Sequence, residues 1–293
     1  MSKEKYLGLF LVLPALSWLV FINLFPFVQT LRLSFYQWVL TKPWERKFVG
    51  LNNYIKIFLD PLFLDSLKIT AIYVGCVLSA ELILGLYIAV LLNRPIFGRG
   101  LFLTLLLLPM VISPVVVGLF FRCMTSPDFG LLNYYLQKLG LYQLVLSEGM
   151  MGRASTALLT VILMDIWEWT PFVFLLFLAG LRGLPNEPFE AAELDGASRW
   201  QRFKYITLPL LKPVILVVVL FRTMDAYRVF DTIWLIGKGG PGHATSTLSV
   251  HIYRTAFYYW DIGTSTAMSY IMLIIAIIFS VILLKYLYET VRF

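Results

Sequence analysis

Two groups of ionisable residues lie inside otherwise apolar stretches, and they are where this sequence could do chemistry. Asp165, Glu168, Trp169 and Phe172 follow at i, i+3, i+4 and i+7, the spacing of one helix face. A carboxylate pair beside an aromatic plane suits a sugar, because carboxylates accept hydrogen bonds from hydroxyls and rings pack on the C–H face. The same residues would serve as an interhelical ion pair or as polar groups at the wet end of a helix, and the residues alone leave these alternatives open. A second face holds Arg222, Asp225 and Val229, with Arg228 and Asp231 nearby. Arg222–Asp225, Asp225–Arg228 and Arg228–Asp231 are each three apart, so pairing along one helix is available, and Arg228 and Asp231 could cap a helix end in water. Glu81 is a lone acid in an apolar run, read as a helix–helix hydrogen-bonding group. An ionised residue within a membrane helix costs about 2.5–3.5 kcal/mol on insertion scales, so such residues face a cavity or a partner.

Other chemistries find little support. Cys76 and Cys123 show no pairing or metal spacing and are expected to be inert buried thiols. His243 and His251 have no carboxylate or Cys neighbours in sequence and are expected at the surface. No metal cluster or nucleophile pattern suggests a membrane enzyme. The phosphate-binding pattern G-x-x-x-x-G-K-[ST] is absent, and Gly237-Lys238-Gly239 is not a match. The net charge of +7 does not point to nucleic acid, because the basic residues lie between apolar runs, where they act as anchors and orientation signals.

The elements that must position these residues are membrane helices. Of 293 residues, 59% are hydrophobic and 14% charged. The apolar residues gather in long uncharged runs such as Tyr6 to Val28, Leu101 to Phe121 and Ile262 to Leu284. About 20 apolar residues span a bilayer core as a helix, and the lack of water there selects helices. Period-2 alternation, the mark of a β-barrel, is missing. Six spans are expected at roughly 6–29, 67–92, 101–122, 155–180, 209–228 and 264–287, in one domain covering 1–293. The first run follows Lys3 and Lys5 but exceeds the roughly 7–15 residues of a signal core, and is read as a retained helix. Pro109 and Pro114 should kink the third span. Six spans place both termini on one side. Of 24 Lys and Arg, 11 fall on the termini side and 13 on the other; the termini-side segments are about half as long, so their higher density places the termini in the cytoplasm.

The loop 181–208 stands apart. It reads LRGLPNEPFEAAELDGASRWQRFKYITL. Asn186 is placed to cap a helix, with Glu187 and Pro188 in its first turn. Gly196 can end that helix in a left-handed conformation. Ser198 and Gln201 form a capping-box pattern for a second helix. Two short helices on the cytoplasmic face follow, the first acidic and the second basic, suited to a protein partner more than to anionic headgroups.

The same loop carries Glu190-Ala191-Ala192, three residues, Gly196, nine residues, Ile206, one residue, then Leu208-Pro209. This resembles the EAA loop of the permease subunits of binding-protein-dependent ABC importers. Gly50-Leu51-Asn52-Asn53-Tyr54, the turn from Arg94 to Arg99-Gly100, and Gly239-Gly240-Pro241-Gly242 followed by Thr245, Leu248, Tyr253 and Ala256-Phe257 extend the resemblance over nearly the whole chain. It is nearest to the first permease of the maltose, trehalose and glycerol-phosphate group. The resemblance implies an all-α, six-helix, MetI-like membrane architecture in the bacterial plasma membrane, and carbohydrate import. It implies a second permease subunit, two copies of a cytoplasmic ATPase, an extracytoplasmic solute-binding protein and surrounding lipid. The chain itself would bind no cofactor, ATP and Mg being used by the partner ATPase. Glu190, Ala191, Ala192 and Gly196 would couple to that ATPase, and Asp165, Glu168, Trp169, Phe172, Arg222, Asp225 and Val229 would bind solute. Their charges depart from the neutral, Asn-rich maltose pattern. A gradient-driven transporter using Glu81, Asp165 and Glu168 as ion sites is the competing reading; it would need no ATPase.

Overall fold

The computed structural model describes residues 2–141 and 149–291. In chain order it runs α1 (Ser2–Ser34), a short antiparallel ribbon of β1 (Tyr36–Gln37) and β2 (Lys47–Phe48), α2 (Asn52–Leu59), α3 (Pro61–Leu92), α4 (Arg99–Val111), α5 (Pro114–Met124), α6 (Leu131–Lys138) and α7 (Ala154–Arg182). After these come α8 (Glu187–Leu194), α9 (Arg199–Arg202), a π-helical turn (Phe203–Thr207), α10 (Leu208–Tyr227), α11 (Asp231–Gly237), α12 (Leu248–Phe257) and α13 (Ile262–Val291). The sequence reading treats the chain as one domain; its contacts form two compact units, Met1–Leu64 with His251–Ile274, and Asp65–Val250 with Ile275–Phe293.

Five helical stretches among the described residues are long and apolar enough to cross a membrane, and a sixth is present if the bent pair α4 and α5 is one span. That pair falls where a kinked third span is expected, but the structure breaks it outright, with a bend of 93°. Pro114 accounts for the break at Ser113. Its ring disfavours helical backbone at the preceding residue, and Ser113 is extended (φ −61°, ψ 137°). Ile112 is extended too (φ −74°, ψ 137°). Pro114 then starts α5 at a first-turn position, where no N–H is needed.

In the first unit, Asn53 ties the ribbon to the end of α1 by donating from Nδ2 to the carbonyls of Ser34 (2.8 Å) and Tyr36 (2.9 Å). His251, expected at the surface, is instead buried, with Nε2 3.9 Å from Asp60 Oδ2. Asp60 lies far away in sequence, so spacing could not reveal this carboxylate. Both cysteines also depart from expectation, since Cys76 and Cys123 are exposed. In a membrane chain the outer surface is itself apolar, so a small hydrophobe gains nothing by turning inward.

The second unit is organised around α7. Its most apolar window is 61% buried, against 22% for α3 and 11% for the span ending in α10. Small residues allow the close crossings. A Cβ on Gly85 of α3 would lie 2.6 Å from Val173 Cγ1 of α7, and one on Gly180 of α7 would lie 2.9 Å from Val214 Cγ2 of α10. Two apolar clusters form along these helices. The first joins Tyr73 and Val77 of α3, Val161 and Met164 of α7, Ala226 of α10 and Ile233 of α11. The second joins Ala89 of α3, Val173, Phe174 and Phe177 of α7, and Leu211 and Val218 of α10. On each of the three long helices the polar residues fall between them: Glu81 on α3, Asp165 and Glu168 on α7, Arg222 and Asp225 on α10. At 1.5 Å rise per residue, Arg222 is about 21 Å along α10, inside the helical stretch Arg199–Tyr227 that is long and apolar enough to cross a membrane.

Candidate solute cavity and coupling hairpin

Arg222 is the hub of the charged layer. It is 1% exposed. Nε and one terminal nitrogen donate to Glu81 Oε2 and Oε1 at 2.7 and 2.8 Å, a two-pronged pair between α10 and α3. The same terminal nitrogen donates to Asp165 Oδ2 of α7 at 2.8 Å. The other terminal nitrogen donates to Asp225 Oδ2 at 2.9 Å. Four of its five N–H groups are thereby committed. Asp225 also accepts from Arg228 at 3.3 Å, so two of the three pairings suggested by spacing on α10 form. A buried ion whose partners are all in place is tolerated, whereas removing one partner is severe. The layer therefore locks α3, α7 and α10 in one register.

Beside this hub lies a cavity of about 330 Å³, whose wall includes Asp165, Glu168, Trp169, Asp225, Arg228 and Val229, with Pro114, Ala226, Phe230, Asp231 and Thr232. Five of the seven sequence-derived candidates thus line one space. The other two sit behind it. Arg222 is not part of the wall, being enclosed by carboxylates, and its Cζ lies 5.1 Å from the Trp169 ring centroid. Phe172 is also absent from the wall; it meets Trp169 edge-on at 6.1 Å and packs against the second apolar cluster. The helix-face spacing finds residues on one side of α7 but cannot say which reach the opening and which support those that do. Asp165 realises the ion-pair alternative, and Glu81 proves to be a helix–helix group. Glu168 differs from both. It is 1% exposed, and its Oε2 has no hydrogen-bond partner. Thr232, 4% exposed, has an unpartnered hydroxyl at the same wall. The break before Pro114 was the sequence signal for that residue; nothing marked Thr232 or Phe230. Among the described residues no group of His, Cys, Asp and Glu could hold a metal ion.

The loop between α7 and α10 folds as two short helices. Asn186 stands at the start of α8 but makes no side-chain cap, because its backbone is already helical (φ −80°, ψ −27°). Gly196 has φ +75°. Ala197 N–H donates to the Ala192 carbonyl (2.9 Å) and Gly196 N–H to that of Glu193 (3.1 Å), the paired bonds that close a helix on a left-handed residue. Ser198 and Gln201 make the expected capping box, at 2.7 and 3.3 Å. Arg202 of α9 pairs with Glu193 of α8 at 2.9 Å, clamping basic helix to acidic helix. The tip presents Glu190, Ala191 and Gly196, all exposed, with Leu194 at 90% and Trp200 at 68% exposure. A Cβ on Gly196 would meet nothing within 4 Å. The π-helical turn joins this hairpin to α10, and such turns often mark functional joints.

Comparison with known proteins places this geometry. Residues 81–292 match the family model described as binding-protein-dependent transport system inner membrane component. A probable ABC transporter permease protein of Sinorhizobium fredii is 39% identical over 269 residues, covering 92% of this chain and 85% of the relative. The trehalose/maltose transport system permease protein MalF of Thermococcus litoralis is 36% identical over 291 residues, covering 97% and 96%. Among solved structures, a chain of a bacterial ABC transporter that imports the acidic polysaccharide alginate superposes with a TM-score of 0.83 at 22% identity, covering 98% and 96%. The chain belongs to the family of inner membrane components of binding-protein-dependent transport systems, and its fold is that of an ABC importer permease. It is a multi-pass membrane protein.

Proposed function

We propose that this chain is one permease subunit of an ATP-driven importer that carries a carbohydrate (a sugar, oligosaccharide or polyol derivative) handed over by an extracytoplasmic binding protein. Its partners are a second permease, two copies of a cytoplasmic ATPase and membrane lipid. It binds no cofactor of its own; ATP and Mg serve the ATPase. Both termini face the cytoplasm. The observation that carries this reading is one of connection. The exposed hairpin joins α7 directly to α10, and those two helices bear three of the four acids of the cavity wall (Asp165, Glu168 and Asp225) together with Trp169. A push on Glu190, Ala191, Ala192 and Gly196 from an ATPase is delivered to both walls of the site. Names of relatives support carbohydrate as cargo, and Trp169 beside Glu168 and Asp225 suits a polyhydroxylated ring.

The test is a complex of this chain with its partner permease, ATPase and binding protein in nanodiscs. A cysteine in place of Ala192 is expected to cross-link to the ATPase subunit, with a yield that changes on adding ATP and loaded binding protein. Failure of any residue from 190 to 196 to cross-link in an active complex would overturn the coupling assignment.

A further inference from the structure

The distribution of charge around the cavity goes a step beyond the transport of carbohydrate, on which it rests. The fold leaves the charge of the cargo open, since a chain of closely similar fold belongs to an importer of an acidic polysaccharide. Here the wall carries four carboxylates (Asp165, Glu168, Asp225 and Asp231) and one guanidinium, that of Arg228. Arg228 already donates to Asp225. Directly behind the wall, Arg222 is matched by Glu81 and shared with Asp165 and Asp225. Among the described residues of the wall, an anionic solute therefore meets four carboxylates against one guanidinium, that of Arg228, which is 75% exposed, and no uncommitted buried cation. It finds Glu168, whose Oε2 is buried and unpartnered, and the unpartnered hydroxyl of Thr232. A carboxylate oxygen left without a partner in a buried site is satisfied by an incoming donor, and is repelled by another anion with little screening.

We propose that the cavity is a charge filter, which admits polyhydroxylated solutes that are neutral or carry an ammonium group and turns away carboxylated, sulfonated and phosphorylated ones, with Glu168 setting the preference. Hydroxyl and ammonium donors meet Glu168 Oε2, and the Trp169 ring takes the C–H face. Thr232 supplies a small neutral donor and acceptor. Asp231 lies in the same wall.

The experiment measures binding directly to the permease pair in nanodiscs, without the binding protein, whose own choice would mask that of the cavity. Three probes of similar size are titrated: a glucosamine disaccharide with free amines, trehalose, and digalacturonate. The first two are expected to bind at least ten times more tightly than the third. Glu168→Gln is expected to narrow the gap between trehalose and digalacturonate to within about three-fold, and Asp231→Asn to narrow it less; the second variant serves if the first does not assemble. Digalacturonate binding as tightly as trehalose, or a gap unmoved in whichever variant assembles, would overturn the filter while leaving the carbohydrate site intact. Saturable binding of digalacturonate alone overturns it as well. If no probe binds, the cavity is not the carbohydrate site and the filter falls with it, while the coupling role of the hairpin stands on its own cross-linking test.

Discussion

Arg222 of α10 grips Glu81 of α3 through two parallel hydrogen bonds of 2.7 and 2.8 Å, across 141 positions of sequence. Both side chains are shielded within the fold, at 1% and 0% exposure. The other carboxylates of Arg222 are graded in exposure: Asp165 is 4% exposed and Asp225 is 35%.

That grading predicts an order of effects. Removing one partner of a buried pair leaves an uncompensated charge and costs about 3–5 kcal/mol, whereas an exposed pair contributes about 0–1 kcal/mol. Glu81→Ala is expected to lose most of the folded protein from membranes, Asp165→Asn to lose less, since its amide oxygen still accepts from Arg222, and Asp225→Asn to behave almost as wild type. Thermal aggregation of the detergent-solubilised chain, read as the temperature of half-loss, ranks the three. Equal losses for Glu81→Ala and Asp225→Asn would show that burial does not govern the layer.

The Glu81–Arg222 pair also marks the limit of what the sequence discloses. Arg222–Asp225 and Asp225–Arg228 are three apart on one helix, so local geometry alone brings them within reach. The places of the spans were legible because about 20 apolar residues must span the core: the expected 209–228 became Leu208–Tyr227, whereas the expected 6–29 and 67–92 run on as Ser2–Ser34 and Pro61–Leu92, since a helix can continue past the apolar stretch. Short-range signals in the hairpin were equally readable; Gly196 and Ser198–Gln201 do what their spacing says. Long-range pairing was not. Nothing in the residues around Glu81 says which of several distant cations it meets, nor that Asp60 lies beside His251. Pro114 signalled a kink, but the 93° depth of the break depends on tertiary packing of α5 against α7 and α11. Which candidates line the cavity and which stand behind it depends on the helix crossings.

Gly196 offers a test that separates folding from coupling. Its φ of +75° disfavours any residue with a Cβ, by roughly 1–2 kcal/mol, with Asn the best tolerated. A Cβ there meets nothing in this chain, so the consequence falls on the hairpin tip and whatever docks on it. Gly196→Val is expected to insert in the membrane at near-normal levels yet lose at least nine-tenths of binding-protein-stimulated ATP hydrolysis in the assembled complex. Gly196→Asn is expected to keep a larger share. Wild-type stimulation in the valine variant would remove this turn from the coupling path.

Trp169 connects the cavity to the charged layer, because one ring both lines the cavity and lies against the buried guanidinium of Arg222, 5.1 Å from Cζ. A cation over an indole contributes about 0.5–1 kcal/mol at exposed sites and about 2 when desolvated, and a phenyl ring supplies less of this than indole but keeps a flat surface. Trp169→Phe is therefore expected to fold normally and to weaken apparent affinity for transported sugar by about three-fold, by trimming the ring surface offered to solute. Trp169→Ala removes the surface altogether and is expected to weaken it by ten-fold or more, while also lowering the temperature of half-loss because Arg222 loses its aromatic neighbour. Uptake into proteoliposomes at varied sugar concentration separates these outcomes. If the alanine variant loses stability but keeps its affinity, the ring serves only to support the charged layer, and sugar makes its contacts elsewhere.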